Sequence, residues 1–161
     1  MRKLFFVASA LLLVGSFSTA YAAEVRLGGG VVFDGTVPGG GLAIDIPMGD
    51  QPVQISLGAE YYKKSGVTTI YAPVMGVYKT EASESAQIYF GAGSGIGYSK
   101  ISILGISASS TNALAAGVGG IDFKVSDKMG IFAEVSYYRV FESGAANTIA
   151  GKAGISFSLG E

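Results

Sequence analysis

The sequence predicts an all-β fold in which eight antiparallel strands close into an up-and-down barrel. Three observations predict it. Apolar and polar residues alternate with a period of two along most of the chain, and no stretch has the 3.6-residue period of a helix. Eight such runs are separated by short polar turns. The length suits one domain: a leader of 22 residues taken from 161 leaves 139, enough for one core and too few for two.

The leader occupies residues 1–22. Arg2 and Lys3 form a positive start, Leu4 to Val14 an apolar centre, and Ala20-Tyr21-Ala22 a small-x-small cleavage site. The apolar run is shorter than the roughly 18 residues of a spanning helix and ends at Gly15, Ser16 and Ser18. Residues 23–161 are then the barrel domain. Without Arg2 and Lys3, nine of the 11 basic residues face 12 acidic ones, a formal charge of −3 that offers no footprint for nucleic acid.

In the first strand Val25, Leu27, Gly29, Val31 and Phe33 alternate with Arg26, Gly28, Gly30, Val32 and Asp34. Leu42 to Met48 and Val53 to Tyr62 form a hairpin around Gly49-Asp50. Beyond Lys63-Lys64-Ser65-Gly66, a fourth strand from Thr69 to Lys79 puts Tyr71, Met75 and Val77 on its apolar side and Tyr78 on the other, with Pro73 as a candidate bulge. The fifth, Gln87 to Tyr98, carries Ile88, Phe90, Ala92, Ile96 and Tyr98 on one face and Tyr89 with four glycines on the other. The sixth, Thr111 to Val125, ends in separated Ile121, Phe123 and Val125. The seventh and eighth alternate from Ile131 to Tyr138 and from Thr148 to Leu159.

Which face meets water decides what kind of barrel this is. A soluble ligand-binding barrel of the lipocalin kind shows water a face dense in Lys and Glu. Here the second face is mostly Gly, Ala and Ser with isolated charges, and only 14% of residues are charged against 49% apolar. A transmembrane β-barrel hides that face inside. Aromatics give a second test: with a periplasmic N-terminus, Phe33, Tyr61, Tyr71, Tyr98 and Tyr137 stand at the outer ends of their strands, and Phe90, Phe123 and Phe157 toward the inner ends. Rings sorted into two belts are the pattern of a lipid interface. The soluble periplasmic barrel stays as an alternative, as does a narrow solute-conducting one.

On these features the mature chain resembles the small eight-stranded outer-membrane barrels, the group of outer membrane protein X and the membrane domain of outer membrane protein A. The resemblance implies outer-membrane lipid and lipopolysaccharide as surroundings. It also implies the barrel-assembly machinery as a partner, which reads a C-terminal aromatic. Here Ile155, Phe157 and Leu159 keep the alternation and Gly160-Glu161 close the chain.

The same phase puts Arg26, Lys124 and Lys152 with Asp45, Glu60, Asp122 and Glu134 in the lumen, an expected network of ion pairs that fixes register. Eight strands enclose only enough space for side chains, so Tyr62, Tyr78, Tyr89, Phe132 and Tyr138 should help to fill it. The glycine row of the fifth strand is expected to give these rings room. Chemistry is poorly served: with no Cys, His or Trp there is no disulfide, no thiolate or imidazole metal site, and no Ser-His or Cys-His pair. Asp45 with Glu60 could serve acid-base work, but no nucleophile accompanies them. No catalytic, metal or cofactor residue is assigned, and the protein is expected to be a non-enzymatic structural or surface-interaction protein. Its candidate partner site is the connection from Ser99 to Ser110, where Ile101, Ile103, Leu104 and Ile106 suggest a hairpin that continues past the membrane boundary and offers its edge to another protein.

Overall fold

In a computed structural model the chain is described over residues 23–103, 106–142 and 146–160. The leader lies outside the described residues, as does Leu104. Eight strands are present: β1 Glu24–Val32, β2 Val37–Pro47, β3 Val53–Lys64, β4 Val67–Ser83, β5 Ala86–Ile103, β6 Ile106–Ser126, β7 Met129–Val140 and β8 Ala146–Ser158. Each pairs antiparallel with the next, and β1 pairs with β8, which closes the barrel. The expected order and topology are those found.

Closure pairs the strand edges around the ring, the free edges that make open sheets prone to aggregation; the part of β6 that outruns β7 is the exception among the described residues. Both termini lie at one end with the β2–β3, β4–β5 and β6–β7 turns; the other end carries the remaining connections. Ser65 and Gly66 make a two-residue turn, Lys64 pairing with Val67, with both residues at positive φ (48° and 81°) as a primed hairpin turn requires. β4, β5 and β6 outrun the sequence-derived limits furthest, with 17, 18 and 21 residues, and β2 begins at Val37, ahead of Leu42. Within the segment from Ser99 to Ser110, residues 99–103 pair with residues 106–110 as the expected continuation of the hairpin, Ser99 opposite Ser110 and Ile103 opposite Ile106.

The core is the lumen. Its faces are graded from a charged half toward the termini to an aromatic and aliphatic half of Tyr62, Tyr71, Tyr138, Leu114 and Val140 near the other end. The outer face carries exposed Leu27, Leu42, Leu57, Val74, Ile96, Ile131 and Val135.

Glycine serves two kinds of close approach. A Cβ at Gly120 would lie 2.5 Å from the Tyr89 ring, so that position gives a ring its room, and one at Gly28 would meet both the Ala153 carbonyl oxygen at 2.7 Å and the Phe132 ring at 2.8 Å. The β5 row does something else. At Gly91, Gly93 and Gly95 a Cβ would run into β4 carbonyl oxygens, those of Gly76, Val74 and Ala72. There glycine lets two backbones approach, which corrects the expectation that the row makes space for rings.

Candidate functional site: the lumen network and the protruding hairpin

The lumen network is built by alternate residues of six strands, β1, β2, β3, β5, β7 and β8. Arg26 from β1 donates to Asp45 on neighbouring β2 through Nε (2.8 Å) and Nη2 (3.1 Å), and through Nη1 to Glu134 on β7. This bidentate fork is the strong form of a charged pair. Glu134 also accepts from Lys152 (2.7 Å) and from the Tyr89 hydroxyl (2.7 Å). Lys152 continues to Glu60, whose carboxylate takes the hydroxyls of Tyr62 (2.8 Å) and Tyr138. The Arg26 guanidinium lies 4.7 Å from the Tyr89 ring centre and 5.7 Å from that of Phe132, so its faces are covered by π clouds as its edges are by carboxylates.

Five of the seven expected lumen residues, Arg26, Asp45, Glu60, Glu134 and Lys152, form this one chain of contacts. Asp122 is buried toward the termini end, away from these pairs. Lys124 is not in the network: its side chain is 47% exposed at the termini-end mouth and only 3.7 Å contact with Glu81 holds it. Its parity is inward, but it lies beyond the last closed layer, where β6 loses register with β7 between Lys124 and Ser126. Sequence reasoning missed a further pair, Glu24 with Lys79 (2.7 and 2.9 Å), which closes the termini end.

Lys79 also exposes the one misassigned strand. On β4 the inward set is Tyr71, Pro73, Met75, Val77 and Lys79. Tyr71 is therefore no part of an outer belt: it is 5% exposed, stacked on Tyr138 at 4.4 Å, and its hydroxyl reaches Thr148 at 3.3 Å. Tyr78, expected inside, faces outward beside Phe90 with ring centres 5.3 Å apart. Both faces of β4 are apolar, so alternation alone gave no phase; Lys79, which needs a buried acid, was the available signal.

The other belt residues stand on the outer face. Phe33, Tyr61 and Tyr137 are exposed and Tyr98 half-buried toward the loop end, with Phe90, Phe123 and Phe157 exposed toward the termini end. Phe141, next to the end of β7, adds an exposed ring that sequence reasoning did not include.

Within the candidate hairpin, Ile101 and Ile106 are exposed, Ile106 at 77%. Ile103 is described only through its backbone pairing. Among the described residues one side of β6 has no strand partner here. Its ladder with β7 stops at Leu114 opposite Val140, and a last bond runs from Phe141 N–H to the Ala113 carbonyl. Because Ala113 points toward β7, so do Ser107, Ser109 and Thr111 beyond it; among the described residues their N–H and C=O groups have no strand partner.

No protein-family model matches the chain, and no curated protein sequence does either. Solved structures do match. The N-terminal β-barrel domain of Pseudomonas aeruginosa OprF superposes with a TM-score of 0.68 at 16% identity, covering 86% of this chain and 97% of that one. The fold is that of the small outer-membrane barrels. Neisserial surface protein A gives a TM-score of 0.63 at 13% identity over 84% of this chain and 93% of its own. The outer membrane enzyme PagL gives 0.56 at 14% over 83% and 98%.

Proposed function

We propose that this chain is an integral protein of a Gram-negative outer membrane, exported with cleavage after residue 22, and that its role is non-enzymatic surface interaction through the β5–β6 hairpin. The observation that carries the membrane reading is the outer face. A closed barrel whose exposed residues include Leu27, Phe90, Ile96, Ile131 and Val135, with its charges turned inward, is supported as a lipid-facing body and not as a water-facing one. Lipid and lipopolysaccharide are its surroundings, and the barrel-assembly machinery the partner that inserts it.

The fold is silent on catalysis, since an enzyme shares it. Support for a non-enzymatic role comes from the residues: no His or Cys stands anywhere in the sequence, and the central carboxylates are committed to Arg26, Lys152 and three tyrosines. The filled lumen likewise supports a plug over a solute path.

Support for the hairpin comes from its edge. From Ile106 to Asn112 the outward edge of β6 has no Lys, Pro or bulge, the devices that normally blunt such an edge. An extended segment of a partner protein could add there as a further strand. The test is to compare wild type with Ser109→Pro, which removes an outward N–H and no bond to β5. Both should fractionate with outer membranes and migrate differently on gels with and without boiling, while the variant loses protein binding at the cell surface. Recovery in the soluble periplasm would overturn the membrane reading; unchanged surface binding would overturn the role of the edge.

A further inference from the structure

The outer face of this barrel carries charge of one sign at one end. Among the described strand residues whose parity turns them outward, only Lys63, Lys100 and Arg139 are charged, and all are basic. Each stands two residues beyond a belt tyrosine on the same face, Tyr61, Tyr98 and Tyr137, toward the loop end. Toward the termini the outward strand positions hold no charge. Among the described residues none of these three cations has an acid within ion-pair distance. The acids of the loop end are placed elsewhere: Asp34 is in the β1–β2 turn, and Glu142 accepts from Asn112 (3.2 Å).

Register brings two of the cations together. Lys63 pairs with Thr68, Thr68 with Lys100 and Lys100 with Ser109, so ammonium and hydroxyl groups alternate along one row from β3 to β6. The two lysine Cα atoms are two strand spacings apart, about 10 Å, near enough for both side chains to meet over Thr68. Arg139 is flanked in its own row by Ala115 and Asn147, with no second cation. Tyr61, Ile70 and Tyr98 form the next row down from the lysines. Below Tyr61 and Ile70 the surface opens into an apolar groove of about 300 Å³. Gly40 and Ala59, the small outward residues, leave its floor low between Leu27, Leu42, Tyr61 and Ile70.

Two ammonium groups that reach one point favour an anion between them, and a phosphate accepts charged hydrogen bonds from both. An apolar groove directly below calls for a hydrocarbon chain on the same molecule. We propose that this row and groove bind one phosphorylated, acylated glycolipid of the outward leaflet, the chemistry of lipopolysaccharide. Its phosphate would lie between Lys63 and Lys100 over Thr68, and one acyl chain against Gly40 and Ala59. Hydroxyls of Thr68 and Ser109, alternating with the cations, suit a phosphate borne on a sugar better than one on glycerol, which offers fewer partners. The site rests on the membrane reading above, which puts the loop end in the outward leaflet.

The experiment titrates the refolded full chain in zwitterionic detergent with lipid A, with dephosphorylated lipid A and with phosphatidylglycerol, and counts bound lipid by native mass spectrometry. Expected is one lipid A retained per barrel. Removing its phosphates, or replacing Lys63→Gln or Lys100→Gln, should each weaken retention about tenfold, as loss of a charged hydrogen bond does. Ala59→Phe, which fills the floor of the groove, should weaken it as well, and Arg139→Gln should leave it nearly unchanged. Equal retention of dephosphorylated lipid A or of phosphatidylglycerol would overturn the proposal, as would displacement of lipid A by inorganic phosphate at equal concentration. An Arg139→Gln loss as large as that of either lysine would also overturn it, by marking a general basic collar. The lipid comparison needs only wild type, so it decides even if a variant does not fold. Wild type that neither enters vesicles nor migrates differently with boiling would instead strike the membrane reading.

Discussion

Replacing Arg26 by Met tests whether the lumen network stabilises the barrel through paired charge or is only packed filler. The structure says which group suffers. Glu134 keeps Lys152 at 2.7 Å and the Tyr89 hydroxyl at 2.7 Å. Asp45, 1% exposed, loses both bonds from the guanidinium, at 2.8 and 3.1 Å. Removing one member of a buried pair costs about 3–5 kcal/mol, because the other is left as an uncompensated charge. Loss of the cation from above the Tyr89 ring adds about 0.5–2 kcal/mol. Arg26→Met should therefore lose about 3.5–7 kcal/mol. Adding Asp45→Leu removes the orphan and should bring stability back to within about 1 kcal/mol of wild type. Glu134→Gln, which leaves Arg26 on Asp45 and Lys152 on Glu60, should cost less, about 1–2 kcal/mol. The assay is reversible guanidinium unfolding of the refolded barrel in detergent, followed by far-UV circular dichroism and by the boiling-dependent gel shift. An Arg26→Met loss under about 1 kcal/mol, or a double variant no more stable than the single one, would refute the assignment of Asp45 as the orphan.

Two further outcomes are expected. Gly93→Ala would press a methyl group into the Val74 carbonyl, whereas at Gly76 nothing lies within 4 Å of the added carbon; the first should cost about 1–3 kcal/mol and the second well under 1 kcal/mol by the same unfolding assay, and equal costs would contradict close backbone approach as the reason for the β5 glycines. A probe on single cysteines in bilayers should be quenched by lipid-borne quencher at 70 and 153 and protected at 71 and 152, since Ile70 and Ala153 face outward and Tyr71 and Lys152 inward; stronger quenching at 71 than at 70 would reverse the β4 phase.

How far the barrel could be read from its sequence depends on what each strand puts on its second face. On β1, β3, β7 and β8 one face holds Arg26, Glu60, Glu134 or Lys152, and burying a charge among apolar neighbours without a partner is costly enough to fix which face is inside. On β4 Tyr71, Met75 and Val77 oppose Ile70, Val74 and Tyr78; both faces pass as apolar and only Lys79 breaks the tie. Read by its charge and not by its rings, β4 would have come out in the right phase. Parity fixes a side and says nothing about depth. Lys124 shares the inward parity of Asp122 and yet stands at the mouth, because its height depends on where β6 loses register with β7. Pairing is harder still: Glu24 and Lys79 lie 55 residues apart on strands that are not neighbours, and they meet only because closure brings them across the lumen. The glycines of β5 show the same limit from the other side. A missing side chain marks a place where something approaches closely, but whether it is a Tyr ring, as at Gly120, or a carbonyl of the next strand, as at Gly93, is decided by sheet curvature. A pattern of period two has no term for curvature, which is why the positions were legible and their purpose was not.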